Sequence, residues 1–431
     1  MNNLIWFRND LRTADNVSLK KACKGDKIVA VYFFDPRQFA VGDFGFKKTK
    51  KYRARFLIES VAELKENLST LNIPLFVYHN RPESVIPGLV EEHEIKNIYL
   101  QKEWTRDENQ VRDAVIANIP NHTKVEESYD QFLFHPEDIP YSRIENVPQV
   151  FTQFRKKCEK YSEIRPSTEK PESMPKKNLI ENKTKIPSLE DLGLSDFEVD
   201  ARTAFPFKGG EDQALKRVDE YFWETENLAS YKKTRNGLIG KDYSSKLSAW
   251  LANGCISPRT IYREIKRFEK EVRKNDSTYW LIFELIWRDY FKYVSLKHGS
   301  KIFQIGGILD KAYAWQNSEE AKERWISGDT KERFVNANMK EIAQTGFMSN
   351  RGRQNVASFW AKELEQDWRI GAAYFESMLI DYDVHSNWGN WMYNSGVGND
   401  PRDRKFNIQS QAERYDGQGK FQNLWLQERL F

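Results

Sequence analysis

The sequence predicts a parallel α/β domain followed by a larger all-helical domain. Residues 3–130 alternate short β-rich runs with helical patterns, whereas apolar residues recur at helical spacing from residue 210 to the end. The chain has 431 residues, which is more than one ordinary domain, so two are expected. We predict an α/β domain at 1–130, a linker at 131–200 and a helical domain at 201–431.

The first domain is predicted to contain five parallel strands. The strand-like runs are Asn3–Phe7, Lys27–Phe34, Pro74–Tyr78, Asn97–Leu100 and Lys124–Glu127. Helical patterns lie between them, notably at Tyr52–Leu71 and Glu108–Ile119, which is typical of parallel strands with right-handed crossovers. The first strand-to-helix turn, residues 8–12, has no glycine, so the fingerprint of a nicotinamide-binding domain is absent.

The remaining segments differ in composition and in their helix-start signals. Residues 166–200 are rich in proline, lysine, glutamate and serine and show little periodicity, which predicts a long surface linker. Ser257-Pro258 predicts a helix start, with serine as the N-cap and proline in the first turn, and the helix should run to about Lys274. Helical spacing continues through Trp280–Val294 and Ala357–Leu364.

Composition limits the possible functions. Three cysteines are too few for a four-thiolate iron–sulfur cluster and fit a reducing compartment; no metal site is predicted. We expect a cytoplasmic protein without membrane contact, because no signal peptide and no run of ~18 apolar residues is visible. The net charge of +4 does not by itself indicate nucleic-acid binding. Of the 13 tryptophans, 11 follow residue 200, which suits a domain that binds a flavin or unstacked bases, although aromatic residues pack cores by default.

Two stretches in the helical part carry hydroxyl and carboxyl chemistry. Residues 241–248 follow a glycine-containing turn, and their hydroxyls and backbone N–H groups could attract a diphosphate; taken alone, helix capping is the simpler interpretation. Three- and four-residue steps place Trp280, Glu284, Trp287 and Arg288 near one helix face. A carboxylate among tryptophans has a raised pKa; the alternative is a Glu284–Arg288 ion pair.

The stretch from Thr345 to Tyr393 combines arginines, amides, two aspartates and aromatic residues. No acidic residue lies between Glu341 and Glu363, so Arg351 and Arg353 have no partner nearby in the sequence. Such arginines are candidates for phosphate or carboxylate binding. From composition alone, a solvated helix end with a buried Arg–Asp pair explains the pattern equally well.

Order and spacing resolve these alternatives, because the motifs resemble the photolyase/cryptochrome family and specifically its cryptochrome-DASH branch. Residues 6–12, Trp-Phe-Arg-Asn-Asp-Leu-Arg, are similar to the opening signature of photolyases, and 33–36 match their second strand. Residues 134–142 and 150–155 look like the DASH branch in particular. The resemblance runs from about residue 3 to Trp425. It implies an FAD enzyme that uses light to repair cyclobutane pyrimidine dimers, preferentially in single-stranded DNA.

The resemblance also implies which residues bind FAD. The loop 244–248 matches the family's diphosphate loop, and a tyrosine at the position of Tyr231 contacts the same group. An Arg353–Asp381 pair beside the flavin can stabilise its anionic reduced form. Asn387 occupies the position that faces flavin N5, where an amide cannot supply a proton. The implied cofactor-binding residues are Tyr231, Ser244, Ser245, Lys246, Leu247, Ser248, Trp280, Arg288, Asn350, Arg353, Asp381, Asp383 and Asn387.

Electron transfer and substrate binding are implied in the same way. Trp315, Trp368 and Trp391 match the family's three-tryptophan relay, with Trp391 nearest the flavin, although core packing explains any one of them. The catalytic residues implied by the resemblance are Glu284, Asn387, Trp391, Trp368 and Trp315. Those implied for substrate and DNA are Glu284, Trp287, Arg351, Gln354 and Tyr393. The last two replace a methionine and a tryptophan of bacterial photolyases, which is usual in the DASH branch.

Residues 103–108 resemble the acidic segment that holds a 5,10-methenyltetrahydrofolate antenna, with Asp107 and Glu108 as the implied contacts. The match is loose, because Trp104 and Arg106 are atypical. The alternative function is a blue-light photoreceptor that signals through a protein or nucleic-acid partner. Signalling cryptochromes usually carry a C-terminal extension, whereas this sequence ends at Phe431. A binding module without chemistry is disfavoured, because the flavin shell is complete. We expect a monomer.

Overall fold

The computed structural model describes residues 1–427, and its first part is a five-stranded parallel sheet with the order β3-β2-β1-β4-β5. The strands are β1 (Asn2–Trp6), β2 (Lys27–Phe33), β3 (Leu75–Tyr78), β4 (Ile95–Gln101) and β5 (Lys124–Ser128). They are connected by α1 (Val17–Ala22), α2 (Lys51–Ser69), α3 (Pro82–Glu92) and α4 (Arg106–Asn118). The predicted fold class is confirmed, and the predicted strands agree to within a few residues.

Both faces of the sheet are buried, because successive side chains of a strand point to opposite sides. Leu4 and Trp6 of β1 pack with residues of α3 and α4 in a separate core cluster. Ile5 and Phe7 belong instead to the main core, which includes α1, α2 and the helical part of the chain. One face of the sheet therefore shares its apolar interior with the helical part of the chain, and the other face forms a core of its own with α3 and α4.

The segment 166–200 has no strand or α-helix, as predicted, but it is closely attached to the sheet. The Asn182 amide donates to the Leu75 carbonyl at 2.6 Å, and the Thr184 hydroxyl accepts from the Val77 N–H at 2.9 Å. These bonds cover the free edge of β3, whose backbone groups would otherwise be open to pairing with another chain. The domain boundaries at 130 and 200 stay predictions.

The second part is helical over the described residues. Its helices are α5 (Phe151–Tyr161), α6 (Glu211–Val218), α7 (Tyr231–Thr234), α8 (Ser248–Ala252), α9 (Pro258–Glu271), α10 (Asp276–His298), α11 (Glu319–Ser327), α12 (Arg333–Thr345), α13 (Asn350–Ser358), α14 (Trp368–Met378), α15 (Val384–Ser395), α16 (Ile408–Asp416) and α17 (Lys420–Leu426). The predicted cap is confirmed, because the Ser257 hydroxyl accepts from the Arg259 N–H at 3.0 Å. Within residues 1–427, no helix combines the length and apolar character needed to cross a membrane.

Three helix ends position the side chains of the candidate site. α12 ends at Gly346, whose φ of +69° suits glycine, and the Ser349 hydroxyl then caps α13 by accepting from the Gly352 N–H at 3.0 Å. The Asp383 carboxylate caps α15 by accepting from the Ser386 N–H at 2.7 Å. These caps fix where α13 and α15 begin, and residues of both helices line one cavity.

Candidate functional site

A cavity lies between α13, α14 and α15. The residues predicted from the sequence that line it are Asn350, Arg353, Gln354, Asp381, Asp383, Asn387 and Trp391. Sequence reasoning missed other lining residues, among them Phe375, Tyr382, Ser386, Asn390 and Asn394. Helical steps of three and four residues from Asn387 along α15 would have found the last three.

An ion pair forms one wall of this cavity. Arg353 donates from Nη2 to both carboxylate oxygens of Asp381 at 2.9 Å, and its Nε donates to the Met348 carbonyl at 2.9 Å. The Asp381 side chain is only 3% exposed, whereas that of Arg353 is 24% exposed. The pair predicted from the sequence is therefore present, with the guanidinium as its more accessible member. It holds one positive group at the cavity surface.

A second carboxylate, that of Asp383, also lines the cavity. Its Oδ2 pairs with Lys292 Nζ at 2.9 Å, and its other oxygen caps α15. Burial opposes ionisation, but Lys292, His385 and Arg288 lower the pKa of Asp383 well below its ordinary value. This carboxylate therefore carries its charge at neutral pH and does not act there as an acid.

Asn387 presents an amide to the cavity from α15. Its Nδ2 donates to the Ala372 carbonyl of α14 at 3.0 Å, which fixes the plane of the amide between the two helices. The residue is 8% exposed. An amide has no titratable proton, so this position offers hydrogen bonding to a bound group without proton transfer.

The loop 244–248 does not act as a helix cap, which was the simpler of its two interpretations. α8 begins at Ser248 after Leu247, and no side chain caps it, so the interpretation of these hydroxyls as caps is wrong. The carbonyls of Ser244 and Ser245 accept instead from the buried Arg217 guanidinium at 3.2 and 3.1 Å. Within residues 1–427 the hydroxyls of Ser244, Ser245 and Ser248 make no hydrogen bond.

Lys246, in the same loop, is 3% exposed and adopts a φ of +62°. Its Nζ lies 3.1 Å from the Tyr243 ring centroid and 4.6 Å from that of Phe347, and it makes no hydrogen bond within residues 1–427. Burial lowers the pKa of Lys246 well below its ordinary value. The Arg353 guanidinium lies over the same Phe347 ring, at 5.6 Å, so the loop adjoins the wall of the cavity.

Two further buried polar atoms beside Lys246 have no hydrogen-bond partner within the described part of the chain. They are the Tyr243 hydroxyl and Oε2 of Glu341. Burial raises the pKa of Glu341 to about 8, although Lys246 and Arg353 oppose the shift. Buried polar atoms are normally satisfied, so a set of them beside a cavity fits an anionic, polar cofactor such as FAD.

At the rim, Glu284 forms an ion pair with Arg235, whose Nη1 lies 3.0 Å from Oε1. The alternative Glu284–Arg288 pair is wrong, because Arg288 donates to the carbonyls of Gln131 at 2.6 Å and Leu251 at 3.0 Å. Burial raises the pKa of Glu284 above its ordinary value, and Arg235 opposes that shift.

The other rim residues form an aromatic and basic surface. Trp287 stacks on Phe151 of α5 at 3.6 Å, and the Tyr393 ring meets it edge-on at 6.0 Å. Arg351 donates to Gln354 Oε1 at 2.9 Å and to Asn236 Oδ1 at 3.1 Å. Trp280 stacks on Phe283 at 4.8 Å, beneath the Lys232 ammonium.

Tyr231, a predicted cofactor contact, is buried in α7. Glu284, Trp287, Arg351 and Tyr393 do not line the cavity; only Gln354 belongs to both sets.

The three predicted relay tryptophans lie on separate segments: Trp391 on α15, Trp368 at the start of α14 and Trp315 in the loop before α11. Trp391 lines the cavity, and its ring lies against Gly371 of α14, where a Cβ atom would be 2.2 Å from it. Trp368 is buried on the same helix and donates from Nε1 to the Ile305 carbonyl at 2.9 Å. Trp315 is half-buried, and the next residue, Gln316, bonds to the backbone of Asp367 at 2.9 Å. Trp391 and Trp368 are therefore both buried, and Trp315 is the most exposed of the three.

The predicted antenna residues lie at the start of α4. Asp107 pairs with Lys48 and with Arg106. Glu108 accepts from the Thr105 hydroxyl, and burial together with the nearby Glu103 raises its pKa to about 7. They lie in the sheet domain and do not line the cavity.

Comparison with known proteins agrees with this arrangement. Residues 3–176 match DNA photolyase, and residues 280–429 match the FAD-binding domain of DNA photolyase. The chain is 49% identical over 428 residues to cryptochrome DASH of Gloeobacter violaceus, covering 99% of this chain and 85% of that protein. It is 43% identical over 431 residues to the chloroplastic/mitochondrial cryptochrome DASH of Arabidopsis thaliana, covering 99% of this chain and 75% of that one.

The structural match has the same extent. The crystal structure of a Synechocystis cryptochrome superposes with a TM-score of 0.93 at 47% identity, covering 99% of this chain and 88% of that one. The chain therefore belongs to the photolyase/cryptochrome family, in its cryptochrome-DASH branch, and is a photolyase-like flavoprotein with an FAD-binding domain.

Proposed function

We propose that this protein is a light-driven deoxyribodipyrimidine lyase that repairs cyclobutane pyrimidine dimers, preferentially in single-stranded DNA. The observation that carries the proposal is the position of Gln354. Its side chain lines the cavity and accepts from the rim arginine Arg351 at 2.9 Å, so the cofactor cavity and the proposed DNA surface meet at one residue.

In this proposal the cavity and the loop beside it hold FAD. The Arg353–Asp381 pair and Asn387 border the ring system, while Lys246 and the hydroxyls of Ser244, Ser245 and Ser248 supply donors for the diphosphate. When bound and reduced, FAD supplies an excited electron donor for the dimer. Arg353 offsets negative charge on the bound group, which burial alone would oppose.

The chain's own residues limit proton transfer at this site. Asn387 has no proton to give, and Asp383 is ionised by its pair with Lys292. Both features favour a reduced cofactor that stays anionic.

The rim residues are proposed to bind the dimer. Glu284, which Arg235 holds at 3.0 Å, forms a hydrogen bond with it, while Trp287 and Tyr393 contact its rings. Photolyases are known to flip their target bases, and extraction from a duplex costs roughly a few kcal/mol. Phe151 covers one face of Trp287, so that ring offers a single face, worth about 1–3 kcal/mol of stacking. Limited stacking supports the preference for single strands.

Three further parts of the proposal concern electrons, light harvesting and location. Trp391, Trp368 and Trp315 carry electrons inward to the cofactor.

Asp107 and Glu108 contact a 5,10-methenyltetrahydrofolate antenna. We also propose a monomer in the cytoplasm, which gel filtration and cell fractionation test.

The experiment compares repair on single-stranded and duplex substrates that carry one dimer. FAD-loaded protein is illuminated, and the restored pyrimidines are counted against light dose for each substrate. We expect faster repair of the single strand. Equal repair of both substrates would remove the strand preference, and absence of repair on both would remove the lyase activity.

A further inference from the structure

Beyond Trp315, at the surface end of the proposed relay, lies a tyrosine that is bonded to a carboxylate. The ring centroids of Tyr313 and Trp315 are 5.2 Å apart, with 57° between the ring planes. The Tyr313 hydroxyl donates to Oδ2 of Asp403 at 2.7 Å. Both rings are half-buried, so a reductant in solution can reach this end of the chain of aromatic residues.

We propose that Tyr313 is the terminal electron donor of the relay and that Asp403 accepts its proton. The proposal rests on the tryptophan relay of the proposed function, which supplies the oxidant, a Trp315 radical cation. One electron passes from the Tyr313 phenol to Trp315, the phenolic O–H bond breaks, and the proton moves to Oδ2 of Asp403. The products are neutral Trp315, a neutral tyrosyl radical and a protonated Asp403.

A thiolate reductant then resets the pair. It gives one electron to the tyrosyl radical and becomes a thiyl radical, while the proton returns from Asp403 to the phenolic oxygen. The charge lost by the thiolate reappears on the Asp403 carboxylate, so atoms and electrons balance.

The charges around Tyr313 explain why the electron and the proton leave together. Lys362 Nζ lies 4.6 Å from the Tyr313 ring centroid, and Lys311 Nζ lies 3.5 Å from the hydroxyl. A cationic ring beside two ammonium groups is electrostatically unfavourable, whereas a neutral radical is not. Loss of the proton to the adjacent carboxylate removes this penalty.

The same two lysines keep the proton acceptor, the Asp403 carboxylate, in its ionised form. Lys362 Nζ lies 2.6 Å from Oδ1 of Asp403, and Lys311 Nζ lies 3.9 Å from Oδ2. Burial opposes ionisation, but the hydrogen bond from Lys362 lowers the pKa of Asp403. Burial and the carboxylate raise the pKa of Tyr313 to about 12, so the phenol keeps its proton until it is oxidised.

The test follows radicals in FAD-loaded protein after a light flash, by transient absorption and electron paramagnetic resonance. In the parent we expect a tryptophan radical that is replaced by a tyrosyl radical. In Tyr313→Phe the tyrosyl radical should be lost, and the tryptophan radical should persist until it recombines. Tyr279→Phe is the matched control, because that phenol also donates to a carboxylate, Glu159, at 2.7 Å, but its ring contacts Phe283.

Asp403→Asn keeps the size of the side chain and removes the base. We expect tyrosine oxidation to slow by about ten- to a hundredfold, as for loss of one charged hydrogen-bond partner. A tyrosyl radical that survives in Tyr313→Phe, or one that forms at the parental rate in Asp403→Asn, would overturn the proposal. A parent in which the tryptophan radical forms without any tyrosyl radical overturns this inference and leaves the relay intact. A parent without a tryptophan radical overturns both.

Discussion

Replacing Glu284 with alanine should lower light-dependent repair of a single-stranded dimer while FAD content stays near that of the parent. Glu284 lies outside the cavity lining and pairs with Arg235 at 3.0 Å, so its loss does not remove a cavity wall. It removes one hydrogen bond to the bound dimer, worth about 1–3 kcal/mol. Repair per photon at limiting substrate should therefore fall roughly ten- to a hundredfold.

The assay measures restored pyrimidines against light dose with pre-reduced protein, so the tryptophan relay does not contribute. Glu264→Ala is the matched control, because that glutamate also pairs with an arginine, Arg267, but it lies on α9. The reasoning is refuted if Glu284→Ala repairs as fast as the parent, or if both alanine variants lose the same activity.

Four other outcomes follow from the site. Trp391→Phe should leave FAD bound and nearly abolish its photoreduction by an external reductant. Trp360 is a buried core residue whose Nε1 donates to the Asp367 carbonyl at 2.9 Å, so Trp360→Phe should leave photoreduction unchanged. Equal photoreduction in both variants would remove Trp391 from the relay. Asn387→Asp should shift the flavin redox state that accumulates under light, as an absorption spectrum shows, because a carboxylate adds a charge or a proton; an unchanged spectrum would count against this position. Arg351→Ala should weaken DNA binding with and without a dimer and reduce its salt dependence; an unchanged slope of affinity against salt would exclude a phosphate contact. Glu341→Gln should stabilise the protein at about pH 8 more than at about pH 5. The folded-state pKa of Glu341, about 8, lies above the ordinary value of 4.5, so the contribution of this glutamate to the free energy of unfolding falls as pH rises between the two. Equal changes in Tm at both pH values would contradict this.

Local patterns predicted the parts of the fold that depend on neighbours in sequence. Short β-rich runs identified β1 to β5, and Ser257-Pro258 identified the start of α9, because strand preference and helix caps act over a few residues. The Arg353–Asp381 pair was implied by the family resemblance and is present at 2.9 Å.

Contacts between distant segments were not predictable in the same way. Glu284 pairs with Arg235 of the neighbouring loop and not with Arg288, which was the alternative interpretation, because a helix pattern does not reveal which other element supplies a cation. Likewise, Phe151 stacks on Trp287 from across the fold, and the linker covers β3, although its composition indicated only an exposed connection. Tyr313 and Asp403 are 90 residues apart, and only the folded chain brings them together.

The measurement that tests the central claim most directly is single-turnover repair by pre-reduced, FAD-loaded protein on a single strand carrying one dimer. Product is counted after light flashes and after equal time in the dark, which separates repair from cofactor reduction. We predict restored pyrimidines in the light and none in the dark. Bound, reduced FAD with no product after illumination would contradict the lyase assignment, and a photoreceptor that signals through a partner would then explain the site better.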